Sequence, residues 1–473
     1  MSSATASATS FLDFVNASPS PFHAVETATS QLKAAGFVEI HERDAWAGKL
    51  QKGGKYFFTR NRSCIAAFAV GSGGGSHVGF SVLGAHTDSP CLKVKPHSKK
   101  EKAGYTQVGV QTYGGGLWHT WFDRDLGLAG RVVVTGTEGK LEHRLVRIDR
   151  PILRVPTLAI HLDRGVNDAF KFNNEVQLTP ILAAAATKAL NGDAEAKSTT
   201  TTAAPNAEQH SPLLLKLLAE ELKIDAAQIG DFELCLYDTQ PSVIGGAQNE
   251  YIFSARLDNL MMSYCSLTAL INSSTKESLA KDANIRVVVL FDNEEVGSVS
   301  AHGAGSNLLE VTLRRLASEF AAEGSSETAA FERAIPRSLL ISADMAHAIH
   351  PNYAEKHEDN HRPQMNKGVV IKHNANQRYA TTAVTTALVR RVAERRGVPL
   401  QEFVVRNDSP CGSTIGPMLS AQLGLRTIDV GNPQLSMHSI RETCGVEDVK
   451  YAIDLFESFF HDFAEIEAQL TVD

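Results

Sequence analysis

Acidic and histidine residues directly follow several long apolar runs of this sequence, and this pattern constrains the fold more than any other feature. The residues in question are His86, Asp88, Asp292, Glu294, Glu295 and Asp344. Apolar runs of this kind are typical of parallel strands that are buried on both faces of a sheet. Because ligands of open α/β sheets bind beyond the carboxyl ends of the strands, the sequence predicts that these side chains share one crevice.

Two stretches of the chain alternate strand and helix patterns, and a region of different texture separates them. Residues 1–95 and 247–473 combine amphipathic helix patterns with apolar strands. Between 96 and 246, short β-branched runs such as GRVVVTGTEGKLEHRLVRI and RVPTLAIHL are interrupted by glycine, which favours a mostly-β insertion. We therefore predict an α/β domain that an inserted mostly-β domain divides in two.

Periodicity also predicts individual elements. Helices are expected over 20–37, 259–271, 381–396 and 447–470, and strands over 285–291 and 338–345. The segment 183–210 is rich in Ala and Thr, and we expect a mobile surface loop there, including the Thr-rich stretch 198–202.

Composition excludes several classes of protein. Lys and Arg total 46 against 53 Asp and Glu, and this negative balance argues against binding nucleic acid or an anionic membrane through a basic surface. No apolar run approaches ~18 residues, so no membrane span is expected. The six cysteines form no CxxC pair, and the leader MSSATASATS lacks the basic residues of a secretory signal or mitochondrial presequence. We expect a cytoplasmic protein with reduced thiols.

Two further residues join the candidates for a metal site. Asp258 lies within ARLDN, where a predicted helix begins, and His438 lies in the loop LSMHS. Taken singly, such residues are more often structural histidines or helix-capping carboxylates, but their joint occurrence indicates a metal site. Carboxylates mixed with imidazoles suit Zn²⁺ or a similar ion, and the set is too large for one tetrahedral zinc. Two ions could hold a hydroxide between them and polarise a substrate carbonyl.

Longer segments, spread from the SPSPFHAV helix to the C-terminal helix, give the sequence a specific likeness: LGAHTDSPCLKVKP, YGGGLWHTWFDRDLGLAGRV, IHLDR, FSARLDNL, FDNEEVGS, SADMAHAIHPNY and GNPQLSMHSIRE. With these segments the sequence resembles the aspartyl aminopeptidase family of cytosolic dizinc metallopeptidases. The resemblance implies an α/β fold in which a mixed central sheet flanked by helices forms a zinc-exopeptidase-like catalytic domain. It also implies that the inserted mostly-β domain mediates dimerisation.

The resemblance implies a ligand set for two Zn²⁺ ions per subunit, with Mn²⁺ or Co²⁺ as other possible ions. Asp258 would bridge the two metals, and His86 and Asp344 would complete one site. Glu295 and His438 would complete the other.

Further roles follow from the same resemblance. Glu294 would be the general base that activates a metal-bridging water, and Asp88 would hold the His86 imidazole in place. His161 would reach into the active site of the partner subunit. Lys372 would bind the acidic side chain of the substrate, with Arg378 and Arg406 as weaker candidates.

The resulting hypothesis is an exopeptidase that removes N-terminal Asp or Glu from peptides and assembles from dimers into a tetrahedral homododecamer. A relative that prefers neutral residues such as Leu is one alternative, although the short polar leader before Phe11 argues against its propeptide. A catalytically silent binding protein is another, and the intact Glu294 argues against it. A different dizinc amide hydrolase, such as a deacylase or carboxypeptidase, would not need the aminopeptidase segments.

Overall fold

The computed structural model of the chain describes residues 3–73, 78–184, 206, 208–321 and 326–472. The chain divides into two compact units. The first comprises residues 1–89, 242–437 and 441–473, and the second comprises 90–241 and 438–440. The insertion thus begins and ends a few residues before the predicted borders at 96 and 246, and it takes in a short segment near 438 that the sequence analysis assigned to the catalytic domain.

Strands are numbered β1 to β20 in chain order over the described residues. They are Val38–Glu39, Lys55–Arg60, Cys64–Val70, Phe80–His86, Cys91–Lys102, Tyr105–Tyr113, Leu126–Thr135, Leu141–Leu153, Ile181–Ala184, Ile229–Asp238, Val243–Gly245, Tyr251–Ser254, Ile285–Phe291, Leu339–Ala343, Ala346–His347, Val369–His373, Leu400–Val404, Thr427–Gly431, Pro433–Leu435 and Glu442–Gly445.

Helices are numbered α1 to α10 over the same residues. They are Ser3–Ala17, Pro21–Ala34, Pro212–Leu222, Leu257–Ser273, Lys276–Leu279, Leu308–Glu319, Glu327–Ala334, Ala383–Arg396, Ile415–Leu423 and Val446–Glu467. Short 3₁₀ turns add Trp118–Trp121, Thr137–Gly139, Ala226–Gln228, Glu294–Val296, Ile335–Arg337 and Ala354–Lys356.

A nine-stranded mixed sheet forms the centre of the first unit, in the order β1-β2-β3-β13-β4-β14-β18-β16-β17. Strands β13, β4, β14 and β18 run parallel to one another, whereas β3 and β16 run antiparallel to their neighbours β13 and β18. Alternate residues of β13 enter two separate cores: Val287 and Val289 face one, and Val288 and Leu290 face the other. A sheet buried on both faces explains why its strands are continuously apolar.

Several predicted elements are confirmed. The strand predicted over 285–291 has those bounds, and the helix predicted over 20–37 is Pro21–Ala34. Ser20 caps that helix through a hydrogen bond from the backbone N–H of His23, and Gly36 follows it with a positive φ of 81°. Ser and Gly at these positions are the start and stop signals that the sequence carries.

Helix α1 includes the polar leader before Phe11, for which the sequence analysis predicted no helix. Residues 3–17 are helical, and Phe11, Phe14 and Val15 are buried at helical spacing. The rings of Phe11 and Phe14 lie 5.6 and 5.5 Å from that of Tyr264 on α4. Packing of this apolar stripe, which begins only at the fourth residue, stabilises a helix whose first turns are small and polar.

The second unit contains a six-stranded sheet in the order β8-β7-β10-β5-β6-β9 and the helix α3, which the sequence analysis did not predict. The run RVPTLAIHL, predicted to add to its strands, is an irregular segment, and β8 ends at Leu153. Of the loop expected over 183–210, residues 185–205 and 207 lie outside the described residues. Among the helices that are described, none has the length and apolar character needed to span a membrane.

A buried ion pair near the amino end of β13 generates a stability prediction. Arg286 Nε donates to Asp282 Oδ2 at 2.6 Å, and the two side chains are 1% and 4% exposed. We expect Asp282→Asn to lower the free energy of unfolding by about 3 kcal/mol, because the arginine charge stays buried without its counter-charge. Urea denaturation measures this loss.

Glu310→Gln is the matched control, because Glu310 pairs with Arg314 at 2.8 Å on an exposed surface. Its loss should stay below about 1 kcal/mol. Equal losses in the two variants would contradict the importance of burial at Asp282.

Candidate metal centre

The carboxyl ends of three neighbouring strands carry the centre of the site. His86 is the last residue of β4, and Asp344 directly follows β14. On the other side of β4, β13 leads into the 3₁₀ turn that begins at Glu294. Both neighbours run parallel to β4, so the three strands end at the same edge of the sheet. The backbone therefore brings these side chains together, as the pattern of strand ends predicts.

Asp258 reaches the same edge from the first turn of α4. Asn259 Nδ2 donates to the carbonyl of Ala343 at 2.8 Å, at the end of β14. Ser263 Oγ donates to the carbonyl of His86 at 2.6 Å, at the end of β4. These two hydrogen bonds fix the start of the helix, and with it the Asp258 carboxylate, against the strand ends.

The imidazole of His86 lies among carboxylates. Its Nε2 is 3.4 Å from Asp258 Oδ1, 3.6 Å from Asp344 Oδ1 and 3.8 Å from Glu294 Oε2. Within the described residues, His86 Nε2 and Asp344 Oδ1 are buried atoms without a hydrogen-bond partner. Buried polar atoms without partners are rare in folded proteins, and a bound ion is one of the few physical reasons for them.

The spacing of these atoms fits a divalent metal ion. Zinc binds nitrogen and oxygen at ~2.0–2.2 Å with tetrahedral angles, so neighbouring ligand atoms lie about 3.4 Å apart. The separations of 3.4 and 3.6 Å from His86 Nε2 match this value. A second group, His86 with Glu294 and Glu295, also offers ligand atoms within 4.8 Å of one another. Imidazole nitrogen with carboxylate oxygen is a donor set that suits zinc.

The electrostatics of the cluster favour a cation. Burial, together with the negative charges of Asp344 and Asp258, raises the pKa of the Glu294 carboxyl to about 8. Burial lowers the pKa of the His86 imidazole, but the carboxylates of Asp258 and Asp344 outweigh it and hold that pKa well above its usual value. Both shifts arise because negative charge is crowded away from water, and a bound cation relieves that repulsion.

Asp88 holds two parts of the site at once. Its carboxylate is fully buried and accepts the backbone N–H of Glu294 through Oδ1 and that of Glu295 through Oδ2, each at 3.1 Å. Oδ1 also lies 3.3 Å from Nδ1 of His86. The sequence analysis indicated only the contact between Asp88 and the His86 imidazole. The Asp88 side chain thus holds the turn that carries the adjacent glutamates and lies against the imidazole, whose Nδ1 is also 3.0 Å from the Asp88 backbone carbonyl.

Lys372 lies beside the cluster on strand β16. It is a buried side chain, and its Nζ is 3.6 Å from Oδ2 of Asp344. Of the weaker candidate cations, Arg378 is exposed, and Arg406 forms an ion pair with Asp408 at 2.8 Å. Lys372 is therefore the candidate whose charge is held next to a proposed metal ligand.

His438 and His161 belong to the second unit. His438 Nδ1 lies 3.0 Å from the carbonyl of Gly115. A carbonyl can only accept, so Nδ1 carries the proton and the ring's lone pair lies on Nε2, which is the tautomer that a metal ligand needs. His161 is exposed in a turn, where the run RVPTLAIHL had indicated a strand.

Sequence reasoning missed Glu442, which supports Asp258. Glu442 is buried on β20, and its Oε2 accepts the backbone N–H of Asp258 at 3.2 Å. Gln434 Nε2 donates to Oε1 of the same carboxylate at 3.2 Å. Glu442 is the last residue of GNPQLSMHSIRE, one of the segments that carry the resemblance, but no role was assigned to it there.

Comparison with known proteins gives consistent matches over nearly the whole chain. The family model described as "Aminopeptidase I zinc metalloprotease (M18)" matches residues 14–460. A relative from Aspergillus oryzae named aspartyl aminopeptidase is 51% identical over 486 residues, which cover 98% of this chain and 97% of that protein.

Solved structures are similar as well. One described as "Cryo-EM structure of the Ape4 and Nbr1 complex" has a TM-score of 0.93 and 47% identity, and covers 99% of this chain and 88% of that one. A structure of the mApe1 dodecamer from Saccharomyces cerevisiae has a TM-score of 0.84 and 30% identity, and covers 98% of each chain. These likenesses confirm the predicted mixed α/β fold class.

The double role of Asp88 leads to a prediction about metal affinity. Asparagine offers one oxygen where aspartate offers two, so Asp88→Asn loses one of the two backbone hydrogen bonds. We expect the zinc affinity to fall about 10- to 100-fold, because residues that orient ligands affect binding on this scale. Titration of zinc against a chromophoric chelator measures the affinity directly.

Asp282→Asn serves as the control, since it also removes a buried negative charge but lies at the other end of β13. It should destabilise the protein without changing the zinc affinity of the folded state. Wild-type affinity in Asp88→Asn would refute the positioning role.

Proposed function

Because this chain belongs to the M18 family of zinc metalloproteases, we propose that it is an aminopeptidase that removes N-terminal aspartate and glutamate from peptides. The observation that carries the proposal is the buried ammonium of Lys372, 3.6 Å from the carboxylate of Asp344 at the candidate metal centre. A cation in this position would contact the acidic side chain of an N-terminal residue whose peptide bond lies at the metal centre. Buried charges require such a partner.

The proposed cofactor is a pair of zinc ions in each subunit. Asp258 would bridge the two ions, with His86 and Asp344 completing one site. Glu295 and His438 would complete the other, and the assignment of His438 rests on the sequence resemblance. Once bound, the zinc ions would polarise the scissile carbonyl and lower the pKa of an attacking water.

Glu294 is the proposed general base. Its backbone N–H is fixed by Asp88, while its side chain stays 3.8 Å from Nε2 of His86. A buried carboxylate binds a proton more strongly than one in water, so it can accept the proton of the attacking water and pass it to the leaving amine. Glu295, the next residue, remains available as a ligand.

The proposed assembly is a homododecamer built from dimers, and the mApe1 neighbour is described as a dodecamer. His161 would reach the active site of the partner subunit. In support, His161 is surrounded along the chain by exposed apolar side chains: Leu158, Ile160 and Leu162 are 57%, 42% and 75% exposed. Clustered exposed apolar residues are typical of interfaces. The cytoplasmic location expected from the sequence stays a prediction.

Glu294→Gln tests the proposed base. The change removes the proton acceptor and keeps the shape, so kcat should fall by about 10²- to 10⁴-fold while zinc remains bound. Steady-state kinetics together with metal analysis of the same sample separate the two properties. Glu310→Gln on the exposed face of α6 should leave kcat unchanged, and normal turnover in Glu294→Gln would eliminate this residue as the base.

Lys372→Met tests the substrate preference. Zinc-loaded wild-type protein should hydrolyse peptides that begin with Asp or Glu far faster than those that begin with Ala or Leu, and chelation should abolish all turnover. The variant should lose about 10- to 100-fold in kcat/KM for acidic peptides only, because a charge-assisted hydrogen bond is removed. Comparison of the four peptides at equal zinc content measures this loss.

The exposed Lys367 provides the matched control, because Lys367→Met removes a charge from the segment just before β16. This control should keep the acidic preference. A wild-type preference for Leu would contradict the substrate assignment alone, whereas no turnover of any peptide by zinc-loaded protein would contradict the aminopeptidase assignment.

A further inference from the structure

Asp429, on strand β18, is a fully buried carboxylate that the mechanism above does not use. Its Oδ2 accepts the backbone N–H of Ala380 at 2.7 Å, and its Oδ1 accepts the hydroxyl of Thr414 at 2.5 Å. Its own backbone N–H donates to Thr381 Oγ1 at 3.0 Å. Asp429 therefore clamps the segment before α8 at two consecutive residues, and it also binds the residue that precedes α9.

The clamped segment carries Tyr379 against Lys372. Tyr379 directly precedes Ala380, is buried, and has its ring centroid 5.4 Å from Lys372 Nζ. An ammonium at this distance from an aromatic ring is attracted by the ring's quadrupole. Lys372 itself lies on β16, which pairs with β18 next to Asp429 through Ile371 and Val430. Strand β18 thus supports both Lys372 and the Tyr379 ring that Lys372 contacts.

The packing around the Asp429 carboxylate prevents this side chain from moving away from helix α9. Helix α9 begins at Ile415, and a Cβ added to its second residue, Gly416, would lie 2.4 Å from Asp429 Oδ2 and 2.5 Å from Oδ1. Only a glycine permits this approach. The carboxylate is therefore held from both sides, by the start of α9 and by the segment before α8.

We propose that Asp429 is a positioning residue for substrate specificity: by holding Ala380 and Thr381, it fixes the Tyr379 ring and through it the ammonium of Lys372 that binds the acidic side chain. This inference rests on the function proposed above. It concerns the choice between acidic and neutral substrates and not the hydrolysis itself. Asp429 touches neither the substrate nor the metal ligands in this role.

Asp429→Asn is the direct test. Asparagine has one amide oxygen and an NH₂ group that can only donate, so its side chain no longer accepts from both the Ala380 N–H and the Thr414 hydroxyl, and the negative charge is lost. The ratio of kcat/KM for an Asp-peptide to that for an Ala-peptide should fall about tenfold, mainly through a higher KM for the acidic peptide. Zinc content and kcat for the Ala-peptide should stay at wild-type values. An unchanged ratio in zinc-loaded, folded protein overturns the proposal.

A double variant tests whether Asp429 affects the acidic preference through Lys372. If Asp429 acts through Lys372, then Lys372→Met with Asp429→Asn should be no less selective than Lys372→Met alone. A further loss of selectivity in the double variant overturns the route through the lysine. Asp282→Asn, which changes a buried acid near the amino end of β13 and outside the described contacts of Lys372, should keep the wild-type ratio, and a matching fall there would mean that general destabilisation accounts for the effect.

Thr414→Val is the second variant and keeps the inference testable if Asp429→Asn does not fold. It leaves the carboxylate in place and removes one of its hydrogen bonds. The acidic preference should fall by about threefold or more, and an unchanged preference again overturns the proposal. A wild-type protein that hydrolyses acidic and neutral peptides equally well would instead refute the proposed function, so the two failures are distinct.

Discussion

Three parallel strands that end at one edge of a sheet impose the constraint on which the rest of the first unit depends. They place Asp344 and Glu294 within 3.8 Å of the same imidazole nitrogen of His86, away from water. Like charges at such distances repel each other, and burial further disfavours ionised carboxylates. A divalent cation reverses both effects, because it attracts each carboxylate and takes the place of the lost water. Among the described residues, the carboxylates around His86 outnumber the cations beside them, and a bound metal ion would balance this excess of negative charge.

The two ends of strand β13 illustrate how such a site differs from a structural ion pair. At the amino end, Arg286 and Asp282 neutralise each other in a buried pair. At the carboxyl end, the acidic groups outnumber the cations, and backbone groups hold them in place instead. Asp88 accepts two main-chain N–H groups, and Asn259 donates to a strand carbonyl. Because backbone hydrogen bonds hold this part of the site, its carboxylates need no close arginine partner of the kind that Asp282 has, and they remain available to a metal ion.

The sequence predicts structural features that neighbouring residues determine, but it does not predict contacts between residues that are far apart in the chain. The strand over 285–291 and the position of His86 follow from apolar runs and from the residue at their end, which are local features. Asp429 and Glu442 could not be found in this way, because the N–H groups they accept lie 49 and 184 residues away. Helix α1 was missed for the same reason, since its stability comes from Phe11 packing on a ring of α4 and not from its own polar first turns.

The metal ligands cannot choose between acidic and neutral peptides, because the carbonyl and the water on which they act are the same in every substrate. Discrimination requires a group that meets the side chain. Lys372 is 3% exposed, and the carboxylate 3.6 Å away belongs to Asp344, which is a proposed metal ligand. In its proposed role, a bound neutral residue would leave this ammonium without a second negative partner, whereas an acidic residue would supply one. A site in which the wrong substrate leaves a buried polar group without a partner discriminates between substrates far better than an apolar pocket does. The proposed specificity therefore follows from one cation placed beside an acidic cluster that is itself proposed to bind metal.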